Sequence, residues 1–227
     1  MIFNQLFDEK SHTYTYIISS GKGREALIID PVIEKTNEYL KVLKNLELKL
    51  VKVIDTHIHA DHLTGLNELN KQTNCTRIMG ETSPSEVIDI RVKDNDKIKI
   101  EDIELTTIHT PGHTKCSFSF LMKDRVFTGD TLLINGTGRT DFQGGNSEDQ
   151  YNSIFNNLLK LPEETLVYPA HDYNGKKYST IIQEKRNNPR LQVNSVNEYV
   201  DIMNNLKLDY PTMMDANVSS NIKGLTL

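Results

Sequence analysis

Thr56-His57-Ile58-His59-Ala60-Asp61-His62 follows directly on the short apolar run Leu50 to Ile54, a stretch of strand length. Four side chains able to bind a transition metal fall within six positions here, a density that core packing gives no reason to produce. The pattern predicts a buried strand that gives way to a helix, with Leu63, Leu66 and Leu69 at helical spacing up to Lys71. A polar helix N-terminus capped by Asp61 would explain Asp61 and leave the three histidines unaccounted for.

The same event recurs downstream. The alternating run Ile103 to Ile108 is followed by Pro111-Gly112-His113, the run from Arg125 ends in Thr128-Gly129-Asp130, and the run from Thr165 ends in Pro169-Ala170-His171. Each time a strand stops, a metal-capable side chain stands in the next loop, where a rigid element can hold a reactive group. Five of the seven histidines lie at these positions, and only His12 and His109 stand outside them.

Imidazole and carboxylate donors without thiolate suit zinc, iron or manganese, and two ligand sets are open. His57, His59 and His113 can hold one ion and Asp61, His62 and His171 a second, with Asp130 bridging. Alternatively, His57, His113 and Asp130 form a two-histidine, one-carboxylate triad that leaves adjacent positions free on ferrous iron. The residues are the same in both readings, so the donor inventory does not choose.

The remaining features narrow the class. With 227 residues the chain can bury a core that needs no disulfide or structural metal, and a single domain over 1–227 is expected, ending in a helical segment from about 176. Helical spacing marks Lys35 to Leu46, Ser179 to Lys185 and Val196 to Leu206, with Pro189 and Pro211 as breaks, and residues 136–147 form the longest candidate functional loop. The 26 basic and 31 acidic residues leave a net charge of -5 without long like-charge blocks, so neither a nucleic-acid nor a membrane-surface footprint is present. No run is long enough to span a bilayer and the first residues carry no leader pattern, which predicts a cytoplasmic protein. Cys75 and Cys116 stand far apart, outside any C-x-x-C pattern, and read as small buried residues.

The string T-H-x-H-x-D-H, with Gly112-His113-Thr114, Thr128-Gly129-Asp130 and His171, resembles the metallo-β-lactamase superfamily. That resemblance implies an α/β fold, an αββα sandwich of two mixed β-sheets flanked by helices, with the metal at one edge. Within the superfamily, Gly138-Arg139-Thr140-Asp141-Phe142-Gln143, the stretch Tyr168 to Gly175 and Asn188-Pro189-Arg190-Leu191 resemble the persulfide dioxygenase family, as does the opening Gln5-Leu6-Phe7-Asp8 with Ser11 and Thr13 to Tyr16. The family resemblance implies one non-haem Fe(II) per chain on His57, His113 and Asp130, with His59, Asp61, His62 and His171 as supporting rather than ligating residues. It implies oxidation of glutathione persulfide by O2 and water to sulfite and glutathione.

From the same resemblance, Arg139 and Arg190 are candidates for gripping the glutathione carboxylates, Tyr173 for a hydrogen bond near the substrate, and Thr128 for supporting the Asp130 loop. Thr137 departs from the family, where cysteine is expected before Gly138. A separate sulfurtransferase supplying the persulfide and a homodimer are the candidate assemblies, since no rhodanese-like domain accompanies the motifs. The rival reading is a hydroxyacylglutathione hydrolase with a binuclear site, although only residues 172–227 follow His171, fewer than that family's glutathione-binding helical region usually has. A non-catalytic relic of such an enzyme is disfavoured because every candidate ligand is present.

Overall fold

The computed structural model describes residues 1–208 and 214–225. Among the described residues twelve strands form two six-stranded sheets. The first contains β1 (Ile2–Asp8), β2 (Thr13–Ser19), β3 (Glu25–Ile29), β4 (Lys49–Ile54), β5 (Thr76–Gly80) and β6 (Ile90–Val92), in sequential order. Its first two pairings are antiparallel and the last three parallel. The second contains β7 (Lys97–Ile100), β8 (Ile103–His109), β9 (Phe118–Leu121), β10 (Arg125–Gly129), β11 (Leu166–Pro169) and the two-residue β12 (Ser179–Thr180). Only β10 and β11 run parallel there.

Adjacent residues on the inner strands point to opposite faces, and both faces are buried, so these strands read as continuous apolar runs rather than alternating ones. Ile18, Leu27, Ile29 and Ile54 face Leu105, Phe118, Phe120 and Phe127 of the second sheet and form the central layer. Their neighbours Ile17, Ile28 and Val53 turn outward onto α1 (Thr36–Asn45) and α2 (Leu66–Thr73) through Tyr39, Leu43, Leu66 and Leu69. On the far side, Val126 and Val167 pack on Ile154, Leu158, Ile181 and Tyr199, which come from α3 (Ser147–Asn152) with its π- and 3-10-helical continuation, α4 (Ile181–Asn187) and α5 (Val196–Asn204). The αββα sandwich of two mixed sheets expected from the sequence is the fold the chain forms.

Several elements differ from their sequence reading. The helix expected from Leu63 begins at Leu66 and is capped by Gly65, so His57 to His62 lie in an irregular loop and Asp61 caps no helix. The apolar spacing of Leu63, Leu66 and Leu69 was right for the helix face but not for its start, because the loop backbone is bound elsewhere. A two-residue strand, β12, precedes α4 where helix was expected from Ser179, and a Thr180–Gln183 capping box fixes the change. The helix α6 (Met214–Lys223) packs Val218 and Ile222 on the outer layer beside α2 and also buries Asn221. Pro211 lies outside the described residues. Both cysteines are buried and unpaired.

Because β8, β10 and β11 point the same way, the loops carrying His113, Asp130 and His171 emerge at one end of the second sheet. The two sheets are tied together there by Phe118 N–H to Thr56 O at 2.9 Å and Tyr14 N–H to Ala170 O at 2.7 Å. Phe120, fully buried between the sheets, tests the central layer. Phe120→Ala is expected to cost about 3–5 kcal/mol in urea unfolding, as a large-to-small change that leaves a cavity.

Candidate metal centre

His57, His113 and Asp130 converge so that one ligand atom from each lies within 4.8 Å of the others. Their hydrogen bonds fix which atoms are available. His113 Nδ1 donates to the backbone carbonyl of Arg139 at 2.7 Å, which leaves Nε2 with its lone pair, 3.6 Å from Asp130 Oδ2. Thr56 commits its hydroxyl proton to Asp30 Oδ2 at 3.1 Å, so it accepts from His57 Nδ1 at 2.9 Å, and His57 Nε2 is likewise left as a donor atom. Burial, then the neighbouring His59 and His113 rings, holds His57 well below the usual histidine range, in the neutral form a metal needs.

His171 is engaged at both nitrogens. Nδ1 lies 2.7 Å from Asp130 Oδ1 and Nε2 lies 2.8 Å from Asp61 Oδ2, with Thr13 Oγ1 at 3.0 Å. Burial opposes its charge, but Asp130 and Asp61 outweigh burial and raise His171 well above the usual range. The same contact, against the cost of burial, holds Asp130 and Asp61 below the normal carboxylate range. Asp130 Oδ1 is thereby occupied and Oδ2 is left toward the two histidines. Ser11 Oγ continues the chain at 2.7 Å from Thr13 Oγ1 and donates to Asp8 Oδ2 at 2.7 Å, joining the first hairpin to the site.

His59 and His62 form a second, adjoining group with Asp61 and His171. His59 Nε2 bonds Asp30 Oδ1 at 3.1 Å and His62 Nδ1 bonds Leu63 O at 3.0 Å. Their other nitrogens, buried and without a hydrogen bond, each stand 4.0 Å from an Asp61 oxygen. Burial disfavours a charge on His59, yet Asp30 more than compensates and lifts it to about 9, whereas burial brings His62 down to about 4. His59 therefore stands as a charged partner of Asp30 and His62 as a neutral ring.

The organising residue that sequence reading passed over is Asp30, at the end of β3. It accepts from Thr56 N–H at 2.7 Å as well as from the Thr56 hydroxyl and His59, and its own backbone sits at φ 51. The available signal was the carboxylate in Ile29-Asp30-Pro31, another strand ending on a metal-type side chain. Asn221 of α6 was also missed. It donates to His59 O and His62 O, both at 2.9 Å, and accepts from Thr64 N–H at 2.9 Å, so α6 braces the candidate metal loop through this amide.

A cavity of about 460 Å³ opens over His57, His113 and Asp130 and reaches Phe142, Tyr173 and Met214, large enough for a peptide-sized ligand. Arg139 and Arg190 both line it. The Arg139 guanidinium pairs with Asp141 at 2.7 and 2.8 Å and lies 4.0 Å over the Phe142 ring. Arg190 turns back to the carbonyl and hydroxyl of Thr137. Tyr173 is 65% exposed, and its ring lies parallel to His171 at 6.4 Å. Thr128, fully buried, donates to Leu132 O at 2.6 Å and so closes the turn that carries Asp130. His109, the last residue of β8, bonds Lys115 O, and His12 packs on Phe7 and Tyr173; neither belongs to a ligand group.

Gly138 lies directly over two of those ligands: a Cβ there would meet Asp130 O at 2.2 Å and His113 Nδ1 at 2.8 Å. Its N–H donates to Asp130 O at 2.7 Å.

A sandwich carrying these donors at the strand ends defines a class. A family profile of the Metallo-beta-lactamase superfamily matches residues 9–94 and 79–171, and the chain belongs to that superfamily. Within it the chain belongs to the persulfide dioxygenase family. It is 38% identical to the mitochondrial persulfide dioxygenase ETHE1 of Mus musculus, over 98% of this chain and 88% of that protein. The crystal structure of ETHE1 from Myxococcus xanthus superposes with a TM-score of 0.95 at 44% identity, covering 97% of this chain and 98% of that one. A hydroxyacylglutathione hydrolase of Dictyostelium discoideum is 31% identical over 78% of this chain and 69% of its own length.

Gly138→Ala is expected to leave the secondary structure intact while lowering metal affinity about 10–100-fold, the usual cost of disturbing groups that orient ligands. Metal content after equilibration with a graded chelator, beside circular dichroism, checks it.

Proposed function

We propose that this chain oxidises glutathione persulfide with O2 and water to sulfite and glutathione, using one ferrous ion held by His57 Nε2, His113 Nε2 and Asp130 Oδ2. The donor set fits iron: two imidazoles and one carboxylate, with no thiolate, are the donors that non-haem ferrous oxygenases use. The observation that carries the reading is the match to persulfide dioxygenases over nearly the whole chain, at 38% identity over 98% of it, against 31% over 78% for a hydroxyacylglutathione hydrolase. In this reading His171, bonded through Nδ1 to Asp130 Oδ1, anchors that carboxylate rather than ligating a second ion.

Ferrous iron, held by His57, His113 and Asp130, would supply the redox chemistry that brings a soft sulfur donor and dioxygen together. The protein supplies orientation and charge. The His171 imidazolium keeps Asp130 Oδ2 directed at the cavity, the Arg139 carbonyl sets the plane of His113, and Thr56 sets that of His57. Arg139 and Tyr173 stand at the cavity wall, where the glutathione carboxylates and amides would lie. Arg190 contributes there through Thr137 rather than by an outstretched guanidinium. The overall conversion consumes one water and releases two protons, and the ionised Asp61 beside His171 keeps the cavity floor polar. A sulfurtransferase as persulfide source and a cytoplasmic setting belong to the same proposal; among the described residues no helix is long and apolar enough to cross a membrane.

Protein purified without oxygen is expected to contain one iron per chain and to take up O2 when given glutathione persulfide, with no turnover of a glutathione thioester. Two metals with thioester hydrolysis and no oxygen uptake would overturn the proposal. His171→Ala is expected to keep room for one ion, bound about 10–100-fold more weakly because Asp130 loses its anchor. Metal analysis showing a fall from two ions to one in that variant would instead support the binuclear rival.

A further inference from the structure

Residues 136–139 cross the site as an extended strip whose four successive carbonyls are each held by a side chain. Gly136 O accepts from Asn188 Nδ2 at 2.9 Å, Thr137 O from Arg190 Nη1, Gly138 O from Gln150 Nε2 at 3.1 Å and Arg139 O from His113 Nδ1 at 2.7 Å. Gln150 is the member next to the ligand. It comes from α3, is 0% exposed, and its amide orientation is unambiguous, because a carbonyl only accepts and Tyr199 Oη stands 2.8 Å from Gln150 Oε1.

The backbone of Gln150 meets His113 from the other side as well. A Cβ on Gly112 would come within 2.3 Å of Gln150 Cα, so α3 is pressed against the turn that delivers His113. That turn is closed by Asn146 N–H to Gly112 O at 2.8 Å and by Ser153 Oγ–H to Pro111 O at 2.6 Å, both from the same helical segment. Gln150 thus touches the two pieces of backbone that determine where the His113 ring sits: the turn bearing its Cα and the strip receiving its Nδ1–H. Tyr199, fully buried, ties this residue to Thr137 at 3.2 Å and so to Arg190 at the cavity wall.

We infer that Gln150 is a positioning residue for the metal: it fixes the His113 imidazole by locking the 138–139 strip, without touching the ion or substrate. This rests on His113 being a ligand, as in the one-ion reading above. A buried amide with both ends satisfied is costly to disturb, since removing its N–H leaves a desolvated carbonyl directly beside the ligand's hydrogen bond.

The test uses the full chain stripped of metal and titrated with cobalt(II), whose visible bands report coordination geometry without redox chemistry. Gln150→Met, close in volume, removes both hydrogen bonds; Gln150→Glu keeps the acceptor for Tyr199 but loses the N–H toward Gly138 O. Both are expected to bind cobalt about ten-fold or more weakly, with shifted bands. Leu158→Ala, in the apolar layer under the same helical segment, serves as the stability control and is expected to lower Tm while leaving affinity and bands unchanged. The inference is overturned if the Gln150 variants bind with unaltered affinity and spectrum, or if Leu158→Ala weakens cobalt equally at a matched loss of Tm. If Gln150→Met does not fold, the near-isosteric Gln150→Glu decides by the same criteria. Two cobalt ions in the unaltered protein would overturn the one-ion reading, and the variant-to-wild-type affinity ratio would still judge Gln150.

Discussion

The imidazole of His171, bonded at Nδ1 to Asp130 and at Nε2 to Asp61, is the interaction on which the site depends. It joins the end of β11 to the end of β10 and to the loop after β4, so both sheets contribute to one hydrogen-bonded unit. A ring so placed is favoured in its protonated form, because deprotonation would leave the Asp61 and Asp130 carboxylates sharing a single N–H donor. The consequence is geometric: Asp130 has one oxygen fixed and one free, and the free one points where His57 and His113 also present lone pairs.

The fold was legible because its two layers of information coincide. Runs such as Leu50 to Ile54 and Arg125 to Gly129 are largely apolar, and the residues that follow them are polar, so strand, strand end and candidate ligand are read together. The site was legible as a set of residues, but spacing alone did not divide them into ligands and supports; only the family resemblance implied a division. That division depends on which ring nitrogen is already engaged, a matter of Thr56, of the Arg139 carbonyl and of Asp61, none of which any spacing rule specifies. Asn221 and Gln150 escaped for the same reason, since a lone amide in a helix gives no sign of the distant backbone it will hold.

The two arginines show how a motif can be specific without its side chain doing what its type suggests. Asn188-Pro189-Arg190-Leu191 reads as a carboxylate grip, yet in the fold Asn188 and Arg190 hold the carbonyls of Gly136 and Thr137. The motif builds the strip that crosses the ligands. Gly138 follows from the same arrangement, because the strip lies too close to Asp130 and His113 to admit a side chain. Thr137 satisfies this arrangement with its hydroxyl, which meets both Arg190 Nη1 and Tyr199 Oη at 3.2 Å.

Charge explains why a scaffold with donors enough for two ions can serve a one-ion chemistry. Asp61 and Asp130 contribute two negative charges and the His171 imidazolium one positive charge, so a single divalent ion brings the group to a net charge of +1. An anionic persulfide sulfur then neutralises the site on binding. With a second divalent ion and a neutral His171, the same carboxylates would leave +2, a charge that favours a bridging hydroxide, the nucleophile of a hydrolase rather than a partner for oxygen. In the proposed one-ion site a proton on His171 would stand in for a second metal, held there by the two carboxylates that flank it.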